Sequence, residues 1–152
     1  MRWTLLIALV AGCRAKPEPT VADLHFPVVV IYGTTSVVLY PNAHTLGFAS
    51  IASLNALTGP PALIDSDFNI YILEELASTH GTLWLMTHPT GNTPVTFQLA
   101  RAPESGIAVA RQLLRPRLED QTWRDDLDQG REALAREETL AGMFAIVDGK
   151  DD

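Results

Sequence analysis

The chain has 152 residues and a formal net charge of −7, and 47% of its residues are hydrophobic while 19% are charged. This length suits one domain with one core, and the hydrophobic fraction argues against a disordered chain. The acidic balance disfavours nucleic-acid binding, which needs clustered Lys and Arg, and also disfavours electrostatic docking on anionic lipid. Any attachment to a membrane must therefore come from apolar groups.

The chain opens with a positive charge followed by a short apolar run. Arg2 precedes the run Trp3–Ala11, and Gly12 and the single cysteine, Cys13, follow it. A basic start, an apolar run of this length and small residues at its end are typical of a secretory signal. A membrane-spanning helix needs about 20 apolar residues, so this run is too short to be a permanent anchor.

The end of this run, Val10-Ala11-Gly12-Cys13, resembles the lipobox of bacterial lipoproteins. The resemblance covers residues 1–13 and implies that residues 1–12 are a signal peptide, removed before Cys13 becomes diacylated on its sulfur. It also implies a lipid-anchored protein of the cell envelope. Because Arg14, and not Asp, follows the cysteine, the resemblance implies the periplasmic face of the outer membrane if the cell is Gram-negative. Acyl chains bind a bilayer without help from basic residues, at about 0.8 kcal/mol for each buried CH₂.

The remaining chain divides into a tether and a single domain. Residues 13–22 are the lipidated cysteine and a polar, Pro-rich segment that suits an extended tether, and residues 23–149 are the globular domain. Because Cys13 is the only cysteine, the domain has no internal disulfide and no thiol for catalysis. We expect packing alone to stabilise it.

The first part of the domain is predicted to be a sheet. Residues 24–64 contain no Asp, Glu, Lys or Arg, which is typical of core strands, although a partner surface is a second interpretation of such a segment. Apolar runs separated by turn residues predict strands over 25–32, 36–40, 62–65, 70–73, 82–86 and 94–99. One short helix is predicted over 50–57, with Ser50 as its N-cap residue.

The last part of the domain is predicted to be helical. A first helix is expected from about Pro103 to Pro116, because Ile107, Ala110 and Leu114 recur at helical spacing and proline ends helices.

A second, longer helix is predicted from Glu119 to about Leu140, with Trp123, Leu127 and Leu134 as its apolar stripe. Residues 143–147 suit either an extension of that helix or a last strand.

Strands joined by short turns and followed by helices predict an α+β domain, with a mostly antiparallel sheet of hairpins, a short inserted helix and C-terminal helices packed on the sheet.

One segment resembles the start of a calcium-binding EF-hand loop, because Asp65, Asp67 and Asn69 alternate along the chain. The EF-hand pattern requires Gly at its sixth position and Glu at its twelfth, but this chain has Ile70 and Leu76 there. We therefore predict a turn and no metal.

The four histidines are His25, His44, His80 and His88, and their spacing is not that of zinc ligands. If residues 82–86 form a strand, His80 and His88 lie about 26 Å apart, because a strand rises ~3.3 Å per residue. No Gly-x-Ser-x-Gly motif is present, so no serine is marked as a nucleophile. No cofactor is predicted.

Three hypotheses on function follow. The preferred one is a non-enzymatic lipoprotein whose domain binds a protein or a small ligand, or has a structural role. The second is a periplasmic hydrolase whose catalytic groups meet only on folding, with His80, His88, Asp65 and Asp67 as the first candidates. The third is an inhibitor or immunity-type protein whose acidic C-terminal helix binds a basic partner.

Overall fold

A computed structural model describes residues 16–33, 36–88, 90–121 and 125–149. These residues form a curled, antiparallel, six-stranded sheet that carries helices, which confirms the predicted α+β class with C-terminal helices. The signal peptide, Cys13, the predicted turn residues Thr34 and Thr35, and Trp123 lie outside the described residues.

The elements alternate early in the chain and become purely helical late. A short 3-10 helix, Val21–Asp23, precedes the sheet. The strands are β1 (Val28–Tyr32), β2 (Ser36–Tyr40), β3 (Phe48–Ser50), β4 (Ala62–Ile64), β5 (Ile70–Ser78) and β6 (Asn92–Arg101). The helices are α1 (Ala43–Leu46), α2 (Ile51–Asn55), α3 (Thr82–Thr87), α4 (Ile107–Glu119), α5 (Leu127–Arg136) and α6 (Leu140–Asp148).

The sheet has the strand order β2-β1-β4-β5-β6-β3, and each neighbouring pair is antiparallel. Its curl brings the two edge strands to one groove, which β2 lines with Tyr40 and β3 with Phe48. The Ser36 hydroxyl at the start of β2 lies 3.0 Å from that of Ser53 in α2. The short helices α1 and α2 therefore join the two edges of the sheet.

Hydrophobic side chains fill a core on each face of the sheet. Along β1, Val28, Val30 and Tyr32 face one core, and Val29 and Ile31 face the other. A strand that is covered on both faces must be apolar at every position, which explains the uninterrupted run in the sequence. The first core lies inside the curl, and α4, α5 and α6 cover the second.

Two predicted hairpins and the short helix are confirmed. β1 pairs with β2, and β4 pairs with β5 across the turn at residues 65–69. The Ser50 hydroxyl accepts a hydrogen bond from the Ser53 N–H at 2.9 Å, so Ser50 caps α2 as expected. Helix α1, whose N-cap residue is Asn42, and strand β3 have no counterpart among the predicted elements.

Residues 82–86 form a helix and not the predicted strand. The turn starts at Gly81, whose carbonyl accepts from the Trp84 and Leu85 N–H groups at 3.0 and 3.3 Å. The β-type composition of Thr-Leu-Trp-Leu-Met misled the prediction, because β-propensity mainly measures packing in a sheet and this segment packs in none.

The predicted end of the first C-terminal helix was also wrong, because α4 continues through Pro116. A proline inside a helix loses one hydrogen bond. In α4 this loss is outweighed by packing, since Leu114 and Leu118 on either side of it are both fully buried.

The single long helix predicted over 119–140 is instead interrupted, and α5 and α6 follow as separate helices. Thr139 begins α6 as its N-cap residue, accepting from the Gly142 N–H at 3.1 Å. The Thr139 hydroxyl and N–H both donate to Glu137, and they hold the pKa of that carboxyl below its usual value. Residues 143–147, left open between helix and strand, are helical.

Candidate functional site

The most unusual arrangement of side chains is a three-ring stack on α3. His80, Trp84 and His88 are spaced four residues apart: Trp84 lies within α3, His80 directly precedes its N-cap residue Gly81, and His88 is its C-cap residue. The ring centroids of His80 and Trp84 are 4.1 Å apart, and those of Trp84 and His88 are 4.3 Å apart, with near-parallel planes. Each histidine therefore covers one face of the indole ring.

The stack is locked at its C-terminal end by hydrogen bonds. The His88 Nδ1 lies 3.0 Å from the Trp84 carbonyl oxygen and 3.0 Å from the Thr87 hydroxyl. Because a carbonyl oxygen only accepts, Nδ1 carries the proton and donates to it. This tautomer fixes the ring over Trp84 at the point where α3 ends.

These positions correct the spacing argument that separated His80 from His88. The predicted separation of His80 and His88 was that of extended chain, but a helix rises only ~1.5 Å per residue and returns to the same face after about four residues. The signal that could have revealed the helix is the repeat of aromatic rings at His80, Trp84 and His88, which is regular only for helical geometry.

The end of the β5–β6 pair that carries this stack also exposes large hydrophobic residues. Leu83 is 77% exposed and Met86 is 76% exposed, and they lie three residues apart on α3. Phe48 is 37% exposed and pairs with Pro94 near the start of β6, at the same end of the β5–β6 pair as α3. In the part of the chain that the structure describes, these three are the exposed large hydrophobic side chains. We call Phe48, Leu83 and Met86 the apolar tip.

The opposite end of β5 carries the turn that resembled a calcium loop. Asp65 is fully buried, and one of its oxygens accepts from the N–H groups of Asp67 and Asn69 at 3.0 and 2.9 Å. The Asn69 side-chain amide also donates to it, at 3.2 and 3.1 Å to the two oxygens. Phe68 adopts a left-handed φ of 61° within the turn. The carboxylate thus organises the turn through local hydrogen bonds, which confirms the predicted turn.

His25 covers this turn from the start of the domain. Its Nδ1 lies 3.0 Å from a carboxylate oxygen of Asp67, and its N–H donates to Asp65 at 3.4 Å. Both side chains of the His25–Asp67 pair are more than half exposed, at 61% and 62%. Across the described ranges, no group of three or more His, Cys, Asp or Glu side chains is arranged to hold a metal ion.

The four residues considered for a hydrolase lie in two separate places. Asp65 and Asp67 precede β5, and His80 and His88 follow it, so the nine residues of the strand lie between them. At ~3.3 Å per residue this strand keeps the two pairs far beyond hydrogen-bonding distance. The structure brings His80 together with His88, and Asp65 together with Asp67, but it does not bring the two pairs together.

Other polar groups singled out or missed by the sequence analysis have structural partners. The Ser50 hydroxyl donates to that of Ser53 at 2.7 Å, at the start of α2. The hydroxyls of Tyr32 and Tyr40 lie 2.7 Å apart inside the first core, and burial raises the pKa of both phenols. Nothing in the local sequence of these two tyrosines indicates that pair, because the register places Tyr32 opposite Ser36 and Tyr40 opposite Val28, and the two hydroxyls meet only inside the core.

The charged C-terminal region is not one acidic helix. Arg115 contacts Glu119 at 2.8 Å within α4, and Arg131 of α5 lies 3.4 Å from the same carboxylate. Arg131 also contacts Asp128 at 3.1 Å. The C-terminal helices, which the inhibitor hypothesis expected to present an acidic surface, therefore carry both positive and negative charges.

The described part of the tether, residues 16–22, runs along the β5–β6 pair toward the end that carries α3. Asp23 lies in the electrostatic field of Arg101, which is opposite Tyr71 in the sheet. Residues 16–19 lie farther along, in a groove of about 360 Å³ that they share with Glu74 and residues 98–101. From Asp23 back to residue 16, the chain therefore runs parallel to β5, in the direction from the start of β5 to α3.

In the described ranges, no helix is both long enough and apolar enough to cross a bilayer. Comparisons with protein-family models, with curated proteins and with solved structures found no significant match to this chain.

Proposed function

We propose that this chain is a lipid-anchored protein of the cell envelope, acylated on Cys13, whose α+β domain is a non-enzymatic binding or structural module. The observation that carries the proposal is the sequence Val10-Ala11-Gly12-Cys13 at the end of a short apolar run that follows Arg2. Lipid attachment to the sulfur explains why the one cysteine of the chain stands directly after a small-residue cleavage signal.

The charge of the chain supports an anchor made of acyl chains. With a net charge of −7, the protein has no electrostatic attraction to an anionic membrane surface. Acyl chains need none, because their transfer into the bilayer is a hydrophobic effect. The polar tether of residues 16–19, which lies along the surface of the domain, suits a connection between the anchor and the sheet.

The distribution of polar groups supports a binding or structural module over the hydrolase. His80 and His88 stack on Trp84, whereas the Asp65 carboxylate accepts the N–H groups of its own turn. A general base must reach the group that it activates, and neither pair reaches the other. The hydrolase hypothesis therefore lacks the four-residue centre on which it was based.

The test of the anchor is Cys13→Ser, compared with Ala15→Ser as a matched control two residues away. The full chain is expressed in a bacterium, the cells are fractionated, and the mature N-terminus is measured by mass spectrometry. We expect the original chain and Ala15→Ser to begin at Cys13, carry acyl mass and sediment with the membranes. Cys13→Ser is expected to lose the acyl mass and the membrane association. An original chain that keeps residues 1–12 and stays in the cytosol would overturn the proposal.

A further inference from the structure

We propose that the apolar tip is a second membrane contact, in which Leu83 and Met86 of α3, with Phe48 at the same end of the β5–β6 pair, insert into the lipid surface to which Cys13 is anchored. This inference rests on the proposed lipid anchor. The membrane contact would also orient the domain on the anchor. The end of the β5–β6 pair that carries α3 would face the bilayer.

The first argument is the exposure of apolar surface on α3. Leu83 and Met86 are each about three quarters exposed, at 77% and 76%, and they point to the same side of the helix. None of the four consecutive apolar residues 83–86 belongs to either core among the described residues. In water such a helix leaves its hydrophobic side chains without cover, which an apolar phase would provide.

The second argument is the absence of charge around the tip. Between Glu75 and Arg101 the sequence contains no Asp, Glu, Lys or Arg. That stretch includes the end of β5, the whole of α3 and nearly all of β6. The charged residues are instead dense between Glu104 and Glu138, where the helices face solvent. An acidic protein that approaches a bilayer through a long uncharged segment avoids both repulsion and the desolvation of charges.

The third argument is the position of the anchor. Residues 16–19 lie along the β5–β6 pair on the path toward α3, and Cys13 is three positions before Lys16. Three residues of fully extended chain reach at most about 11 Å. Cys13 is therefore confined to within that distance of Lys16, which lines the groove beside this strand pair. Lipid on Cys13 and the apolar tip are thus expected to meet the same surface.

The fourth argument is the ring stack, which gives a six-residue helix a fixed shape. A helix this short is marginal alone in water. The two histidines clamp the indole of Trp84 and so hold the backbone that presents Leu83 and Met86. Tryptophan is also the side chain most enriched at the level of lipid headgroups, where a ring with one polar N–H is favoured.

The experiment uses Trp84 as the reporter of lipid contact. The chain has three tryptophans, Trp3, Trp84 and Trp123. Trp3 leaves with the signal peptide, and Trp123→Phe makes Trp84 the only one in the mature protein. This protein is purified from membranes, its acyl mass is measured, and it is reconstituted in phosphatidylcholine vesicles with or without brominated acyl chains, which quench only indole groups that lie close to them.

We expect brominated lipid to quench Trp84 in the acylated protein. The double variant L83Q/M86Q, which keeps the charge and helix propensity of α3, is expected to lose this quenching while it keeps its acyl chains. The matched control is A141Q/A145Q, which alters two exposed positions of α6, and it is expected to be quenched like the parent.

The outcomes separate the two proposals. An acylated protein whose Trp84 is not quenched overturns the membrane contact and leaves the anchor in place. If that protein also forms a dimer that cross-links through α3, the tip binds a second copy of the chain, and the lipid contact is likewise overturned. A protein without acyl mass overturns the anchor, and the membrane contact that rests on it falls as well.

Discussion

The two ends of β5 are built in opposite ways. Before the strand, Asp65 is fully buried and the turn is tied to the loop ahead of α4, since the Ser105 hydroxyl accepts from the Ile70 N–H at 3.0 Å. After the strand, α3 keeps Leu83 and Met86 in solvent. At the first end the buried polar groups are hydrogen-bonded within the domain, whereas at the second end hydrophobic side chains remain exposed to solvent. The comparison separates an end that stabilises the fold from an end whose exposed side chains are the basis of the proposed membrane contact.

The largest expected effect is at the first end, from Asp65→Ala. The substitution removes a fully buried carboxylate and leaves the N–H groups of Asp67 and Asn69 without their acceptor, so we expect the free energy of unfolding to fall by about 3 kcal/mol. Urea denaturation followed by circular dichroism measures it. Asp67→Ala is the control, expected to cost less than about 1 kcal/mol because its pair with His25 is exposed. Equal costs for the two variants would break the comparison.

A smaller effect is expected in the ring stack at the second end. In a double-mutant cycle of His80→Ala and Trp84→Ala, we expect a coupling of about 1 kcal/mol from the stacked rings. The measurement is hydrogen exchange of the His88 amide, which donates to the Trp84 carbonyl at 3.0 Å and reports local opening of α3. His25→Ala, at the far end of β5, should not change this exchange. Additive effects of the two substitutions would mean that the rings touch without stabilising the helix.

The smallest effect on stability is expected at the apolar tip itself. L83Q/M86Q should change the free energy of unfolding by less than about 0.5 kcal/mol, because both side chains are exposed in the folded protein. Leu114→Ala in α4, where the side chain is fully buried, is expected to cost about 2–5 kcal/mol in the same urea titration. A large loss of stability in L83Q/M86Q would show that these side chains pack within the domain and would remove the contrast between the two ends.

Local chemistry was predictable from the sequence where short-range interactions decide the structure. Ser50 caps α2, and Asp65 with Asn69 makes the turn between β4 and β5, as predicted. Both depend on hydrogen bonds between residues at most four positions apart, so the sequence contains all of the participants. The β-branched run that became β1 was equally clear, because a strand buried on both faces is apolar throughout.

The errors arose where packing overrode local preference. Pro116 did not end α4, because the burial of Leu114 and Leu118 outweighed the lost hydrogen bond. Residues 82–86 have strand-forming side chains but meet no neighbouring strand, so they form α3. The candidate site was missed for the same reason, since the ring stack exists only if the segment is helical.

By itself the sequence determined the lipobox-like start, the single cysteine, the acidic charge and the α+β order of elements, because these depend on composition and short-range periodicity. Only the tertiary structure decided that Asp65 and His80 lie at opposite ends of one strand. It also decided that His80 and His88 stack on Trp84. Phe48 likewise lies at the same end of the β5–β6 pair as Leu83 and Met86 only because β3 pairs with the start of β6. These relations depend on strand register and on the curl of the sheet, which bring together residues far apart in the chain.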